Sequence, residues 1–226
     1  MKAMILAAGR GERLRPITDT LPKPLVEVRG RPLIVHHLER LAECGVREVV
    51  INVSHLGELI ERALGDGSAW NLTIRWSREA APLETAGGIA NARALLGDAP
   101  FALLNADVHC DRPYVDLPDI AQRLIASDLL GHLILVPNPS FRPQGDFSLS
   151  DGMVGNGVAP RYTYSGISVL RPALLGDLPP GTRAPLAPLL RAAARDDRLS
   201  GEVHTGLWSD VGTPERLAEL NAIKDK

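Results

Sequence analysis

LAAGRGERLRPITDTLPKP, residues 6–24, leaves a short apolar run, turns through Gly9 and Gly11, and carries Arg10, Arg13, Arg15 and Lys23 on one loop. The apolar run, residues 3–7, ends at glycine and suits a buried parallel strand. Four like charges on one loop repel each other and invite an anion. Glycines let the backbone come close to such an anion and present N–H groups to it. In open parallel sheets ligands bind at the carboxyl ends of strands, which is where this loop begins. Pro22 and Pro24 stiffen the chain around Lys23, so its ammonium can be held as a placed point charge. The spelling is neither common nucleotide loop: a dinucleotide fingerprint needs glycine at Leu14, and a Walker loop needs Gly-Lys-Ser/Thr. A solvated surface loop is the plain alternative to a phosphate cradle.

Outward from the loop, strands and helices alternate. PLIVHHLERLAEC, residues 32–44, starts with proline and stops at Gly45, predicting a helix whose apolar face His37 joins. Residues 49–53 predict a strand, 56–64 a helix, 72–76 a strand, 85–96 a helix, and FALLN, 101–105, a central strand. Such βαβ units imply a parallel sheet with right-handed crossovers. After Asp107 the pattern loosens. A helix at 119–126 and a strand at 132–136 precede a stretch rich in Pro, Gly, Asn and Ser, residues 137–160, with a hairpin turn at Asp151-Gly152. A strand at 162–170, a helix at 186–195, a return to the sheet over 202–210 and a closing helix at 214–223 complete the reading. Without repeats or linkers, the expectation is one domain, residues 1–226.

Composition narrows the partners. Hydrophobic residues at 45% and charged residues at 23% are ordinary for a globular protein, and 226 residues suffice for a large core. A net charge of -2 argues against nucleic acid or an anionic membrane surface. The opening MKAMILAAGR has too short an apolar stretch for a signal peptide, and no segment approaches a membrane span, so the expected location is cytoplasmic. Cys44 and Cys110 read as two reduced thiols. None of the six histidines shows a metal-ligand spacing; His36 and His37 read as satisfied structural residues. Ser54 and Ser165 lack a nucleophile-elbow context, and Trp76 and Trp208 read as core or rim aromatics.

Two carboxylates remain. Asp107 follows FALLNA and emerges at a sheet end near the basic loop; Asp210 follows LWS and precedes Val-Gly-Thr. Two carboxylates with phosphate oxygens and water would match the hard-oxygen shell of Mg²⁺. Asp210 reads equally well as a turn or capping residue ahead of Thr213-Pro214.

LAAG-x-G-x-R-L-R-P-I-T followed by PKP resembles the signature of the sugar-1-phosphate nucleotidylyltransferases. NAD at 105–107, YSGISVL at 164–170 and WSDVGTPERL at 208–217 extend the resemblance over essentially the whole chain. It implies an α/β fold: a Rossmann-like doubly wound mixed sheet with helices on both faces. Residues 1–107 would form the nucleotide half, and 108–226 the sugar half with the second metal ligand. It implies enzymes that join a nucleoside triphosphate to a sugar 1-phosphate and release pyrophosphate, with Asp107 and Asp210 holding Mg²⁺. Gly11, Glu12 and Arg13 would embrace the triphosphate, and Lys23 would contact phosphate where charge builds. Arg13 and Lys23 are the catalytic candidates.

PLETAGGIANA, residues 82–92, would bring glycines beside the nucleobase, making Ala7, Gly9, Leu83 and Gly88 candidates for base recognition, although Glu84-Thr85 could simply cap a helix. That segment, with Gly145-Asp146-Phe147, is similar to the bacterial N-acetylmuramate alpha-1-phosphate uridylyltransferases. Asp146 and Asn105 become candidates for sugar contact, though Asp146 could equally be a hairpin residue. The resemblance implies UTP and a sugar 1-phosphate as substrates, a monomer or small homo-oligomer, and a role in peptidoglycan recycling. Ala106 where glycine is usual, and Arg183 where relatives carry lysine, are departures that bear on the sugar. No hexapeptide repeats follow the closing helix, so a stand-alone enzyme is expected. A mannose- or glucose-1-phosphate guanylyl- or thymidylyltransferase, or a non-catalytic nucleotide-sugar sensor, is the alternative.

Overall fold

The apolar run before the opening loop forms strand Lys2–Leu6, inside a nine-stranded sheet. The computed structural model describes residues 1–158 and 160–223; Ala159, within the Pro- and Gly-rich stretch, and the last three residues of the expected domain lie outside them. From edge to edge the sheet runs Thr73–Arg78, Glu48–Val53, Lys2–Leu6, Phe101–Asn105, Arg161–Leu170, Gly131–Val136, Leu199–Val203, Met153–Gly155, Phe147–Ser150. The first four are parallel, and Arg161–Leu170 runs antiparallel to both of its main neighbours. The sheet is therefore mixed.

Alternation along the strands explains the layers. Ala3 and Ile5 face a core closed by helices Leu33–Glu43, Gly57–Leu64 and Leu117–Ile125. Met4, Val50 and Leu103 face a second core under Glu84–Asn91 and Ala187–Arg195. Both faces being covered, the central strands are apolar throughout rather than alternating with polar residues. His37 is buried with the apolar face of its helix, as its spacing implies.

The structure differs from the sequence expectation in two places. The helix expected over 85–96 breaks into Glu84–Asn91 and Arg93–Leu96, because the Ala92 N–H is shared between the carbonyls of Gly88 and Ile89 and tightens the turn. The expected return to the sheet over 202–210 divides. Leu199–Val203 joins the sheet beside Gly131–Val136, whereas Trp208–Asp210 leaves it and pairs antiparallel with Val108–Cys110 in a separate ribbon. That ribbon decides where the acidic residues go.

The order of the four parallel strands reverses between Lys2–Leu6 and Phe101–Asn105, which are joined in register from Lys2↔Phe101 to Leu6↔Asn105. A crevice opens beyond their carboxyl ends, where chains leaving adjacent strands diverge to opposite sides.

Candidate active site

The opening loop lines this crevice, a cleft of about 960 Å³ that is large enough for a nucleotide-sized ligand. Three single turns, Glu12–Leu14, Ile17–Asp19 and Lys23–Leu25, fold the loop back, and wholly buried Leu14 anchors it. Gly11 has φ +66, and a Cβ there would lie 2.9 Å from the Thr18 methyl and 3.2 Å from Lys23 Cβ. Only glycine suits that point. The Thr18 hydroxyl donates to the Gly11 carbonyl at 2.8 Å. Ala7, Gly9, Gly11, Glu12, Arg13 and Lys23 all reach the cleft wall, as does Arg10. Arg15 does not; it pairs with Asp19 at 3.2 Å on the outside.

At one end of the cleft a buried polar chain ties the expected base-recognition residues together. The Ala7 N–H donates to Asn52 Oδ1 at 2.9 Å, and Asn52 Nδ2 donates to Glu79 Oε1 at 2.7 Å. The Leu83 N–H donates to Glu79 Oε2 at 2.9 Å. A Cβ on Gly88 would lie 2.7 Å from Asn52 Nδ2 and 2.9 Å from Glu79 Oε1, so glycine lets the helix settle against this pair. Leu83 and Gly88 lie outside the wall itself, which Glu79, Ala81, Pro82, Glu84 and Thr85 form. Sequence reading missed Asn52 and Glu79. Asn52 is the last polar residue of strand Glu48–Val53 and Glu79 directly follows strand Thr73–Arg78, both at the sheet's carboxyl edge, a place that singles out polar residues facing the crevice.

Glu84 also enters the cleft, with φ +61, and pairs with Arg183 at 2.9 Å. The segment around Arg183 is zipped to the helix start: the Gly87 N–H donates to Ala184 O, and the Ala184 N–H to Leu83 O, each at 3.0 Å. A side chain at Gly87 would strike the Thr182 carbonyl.

At the other end the backbones of the two aspartates run side by side; Asp107 lines the cleft, and Asp210 lies outside its wall. Asp210 is in register with Val108, and the Val211 N–H donates to the Asp107 carbonyl at 2.8 Å. Lys23 Nζ donates to Asp107 Oδ2 at 2.7 Å, with its own side chain 9% exposed. Asp210 Oδ1 accepts from Arg216 Nη1 at 2.5 Å, and the Arg216 guanidinium lies 3.4 Å from the centre of the Phe141 ring. A Cβ on Gly212, a cleft residue, would lie 3.0 Å from Arg216 Nη1 and 3.3 Å from Arg13 Nη2. Two guanidinium groups, from opposite ends of the chain, therefore meet there. Sequence reading missed Arg216, which sits in the first turn of helix Pro214–Ala222 behind the Thr213 cap. The donors at this end are carboxylate oxygens, a set that suits a hard divalent cation.

The remaining motifs dock on one another. Asn105 lines the cleft, and Gly166, with φ +84, makes room for its amide, which a Cβ would approach to 2.7 Å. The Ser165 carbonyl accepts from Trp208 Nε1 at 2.9 Å, so the YSG segment holds the ribbon strand that ends in Asp210. Asp146 is not brought to this cleft. Its carboxylate accepts from the Tyr164 N–H at 2.9 Å and from Arg142 at 3.0 Å, beside a separate recess shared with Arg161 and Arg191.

Residues 2–144 match the Nucleotidyl transferase family. The chain belongs to that family. This nucleotidyltransferase is 51% identical to the N-acetylmuramate alpha-1-phosphate uridylyltransferase of Neisseria meningitidis serogroup B, over 99% of this chain and 98% of that one. It is 36% identical to the Caulobacter vibrioides enzyme of the same name, over 96% and 97%. It is also 32% identical to the mannose-1-phosphate guanyltransferase of Hypocrea jecorina, of whose length it spans 62%. A Bacillus anthracis structure described as a glucose-1-phosphate thymidylyltransferase in complex with sucrose superposes with TM-score 0.85 at 19% identity, covering 98% of this chain and 94% of that one. The fold is thus that of the nucleotidyltransferases. Among the described residues no helix is long and apolar enough to cross a membrane.

Proposed function

We propose that this nucleotidyltransferase moves a uridylyl group from UTP to N-acetylmuramate 1-phosphate, with Mg²⁺, giving the UDP-sugar and pyrophosphate. The observation that carries the reading is one cleft lined by Arg10, Arg13, Lys23 and Asp107, with Asp210 on the strand paired beside Asp107. The two uridylyltransferase relatives, which the chain matches nearly end to end, favour the uridine base and the muramate sugar. In this reading the enzyme works in the cytoplasm, in reuse of cell-wall sugar. Residues 1–107 serve the nucleotide and 108–226 the sugar, within a single unit.

The attacking group is a phosphate oxygen already ionised at neutral pH, so no side chain has to remove a proton. It forms a bond to the α-phosphorus in line as the bond to pyrophosphate breaks. The chain contributes placement and charge balance between two anions. Asp107 and Asp210 would hold Mg²⁺, which supplies further neutralisation of the phosphates. Arg13 and Lys23 bring positive charge to the triphosphate, Gly9 and Gly11 allow its close approach, and the Asn52–Glu79 pair fixes the backbone around the base. Asn105 faces the sugar side.

A panel of nucleoside triphosphates and sugar 1-phosphates, scored by pyrophosphate release with Mg²⁺, tests this. The expected best pair is UTP with N-acetylmuramate 1-phosphate. Preference for GTP with mannose 1-phosphate would replace it with a guanylyltransferase, and silence from every pair would make the protein a nucleotide-sugar binder.

A further inference from the structure

The ribbon that carries Asp210 ends, on its other side, in a group of donors that the transfer reaction does not use. Cys110 closes strand Val108–Cys110, Asp111 follows it, and His204 comes just after strand Leu199–Val203. One ligand atom from each, a sulfur, a carboxylate oxygen and a ring nitrogen, all lie within 4.8 Å of one another. His204 Nε2 and Asp111 Oδ1 are 2.7 Å apart. None of the three lines the cleft.

These donors are held by backbone that exists for other reasons. Cys110 is in register with Trp208, the Asp111 N–H donates to Leu207 O at 2.9 Å, and the His204 N–H donates to Leu135 O at 2.8 Å. A Cβ on Gly206 would stand 2.5 Å from Asp111 Oδ1 and 2.8 Å from His204 Nε2. Only glycine lets the turn pass this close to the two donors without striking them. Charge agrees: a thiolate, a carboxylate and a neutral imidazole offset a divalent ion, and Asp111 is exposed enough to admit it.

We propose that Cys110, Asp111 and His204 form a second metal site, for a thiophilic divalent ion of the zinc class, with water as fourth ligand. Three protein ligands of mixed S, N and O type with one open position are a zinc pattern, whereas Mg²⁺ takes oxygen alone. Binding releases the Cys110 proton to solvent. It also ties the loop leading into strand Trp208–Asp210 to the end of strand Val108–Cys110, closing the ribbon at the end away from the cleft.

The test uses the full chain, stripped with a chelator and titrated with Co²⁺ under saturating Mg²⁺, which competes for the carboxylates of the cleft. One equivalent of Co²⁺ should bind with a sulfur-to-metal charge-transfer band that Zn²⁺ abolishes. Cys110→Ser should lose the band. Because Cys110 is buried and its variant could fold poorly, Asp111→Asn and His204→Gln provide the second reading, each weakening Co²⁺ by at least about tenfold. Pyrophosphate release by these two variants, with Mg²⁺ alone, should stay as in the parent, which separates this site from the proposed reaction. Absence of the band in the parent chain, or parental Co²⁺ affinity in both Asp111→Asn and His204→Gln, would overturn the proposal.

Discussion

Asp107 and Asp210 lie on backbone paired side by side, yet each is balanced in its own way. Asp107 is met by Lys23, an ammonium sealed between two prolines and nearly out of water. Asp210 is met by Arg216, whose guanidinium rests on the half-exposed ring of Phe141, in the stretch between strands Gly131–Val136 and Phe147–Ser150. A buried ammonium gives up its partner only at high cost, so Lys23 and Asp107 form a fixed floor. A guanidinium seated on an aromatic face retains favourable contact when its carboxylate turns elsewhere. This end therefore has one rigid cation in the cleft wall and, outside the wall, one that can exchange partners, with Arg13 beside it across Gly212.

The sharpest way to break this contrast is at the floor. Lys23→Ala is expected to lower turnover by about 10²–10³-fold with a cooperative melt retained, and Arg13→Ala to act likewise. Near-parental pyrophosphate release in either purified variant would end the assignment. Asp107→Ala should remove both activity and any response of the rate to Mg²⁺. At the exchangeable cation the effect is smaller. Arg216→Gln should raise KM for the triphosphate and cut kcat by about tenfold, while Phe141→Ala changes each only a few-fold; their double variant should be less than additive. If Phe141→Ala proved as damaging as Lys23→Ala, the distinction between the two sides would disappear.

Away from the aspartates, Asn52→Ala would leave Glu79 and the Ala7 N–H without their partner. KM for the triphosphate should rise by about 5- to 100-fold with kcat changed less, read from initial rates over a series of bases. The smallest expected effect tests packing alone. Burial holds His37 down at about 3 from an ordinary 6.5. The unfolded chain takes up that proton below about 6.5, while the folded chain stays neutral until about 3. Stability is thus complete above the higher value and falls as pH drops toward the lower. The melting temperature should drop by a few degrees between pH 7.5 and 5, and less in His37→Gln; an unchanged slope would clear His37 of that role.

How much of this can be read in the sequence depends on how far apart the cooperating residues lie. Strand, glycines and cations of the opening loop are contiguous, so fold and charge can both be read from residues 3–24. Asp107 is legible because an apolar strand delivers it to the crevice. Asp210 is less so, since its strand leaves the sheet to make a ribbon with residues half the chain away, and local pattern cannot distinguish a sheet strand from a ribbon strand. Asn52 and Glu79 look like ordinary strand-end polar residues until their mutual hydrogen bond is seen. Arg15 carries the same charge as its neighbours and yet pairs outward, because loop geometry rather than composition chooses which cations face in. Asp146 follows a turn glycine and spends its carboxylate on the Tyr164 N–H and Arg142.

The two-stranded ribbon makes one end of the cleft depend on a single join. Val108–Cys110 and Trp208–Asp210 pair only with each other, outside the main sheet. The loop cations rest on the first strands of the chain, while Asp210 reaches the side of Asp107 only through this pairing. A change that unzips this clasp therefore strikes the acidic end of the cleft and spares the basic one.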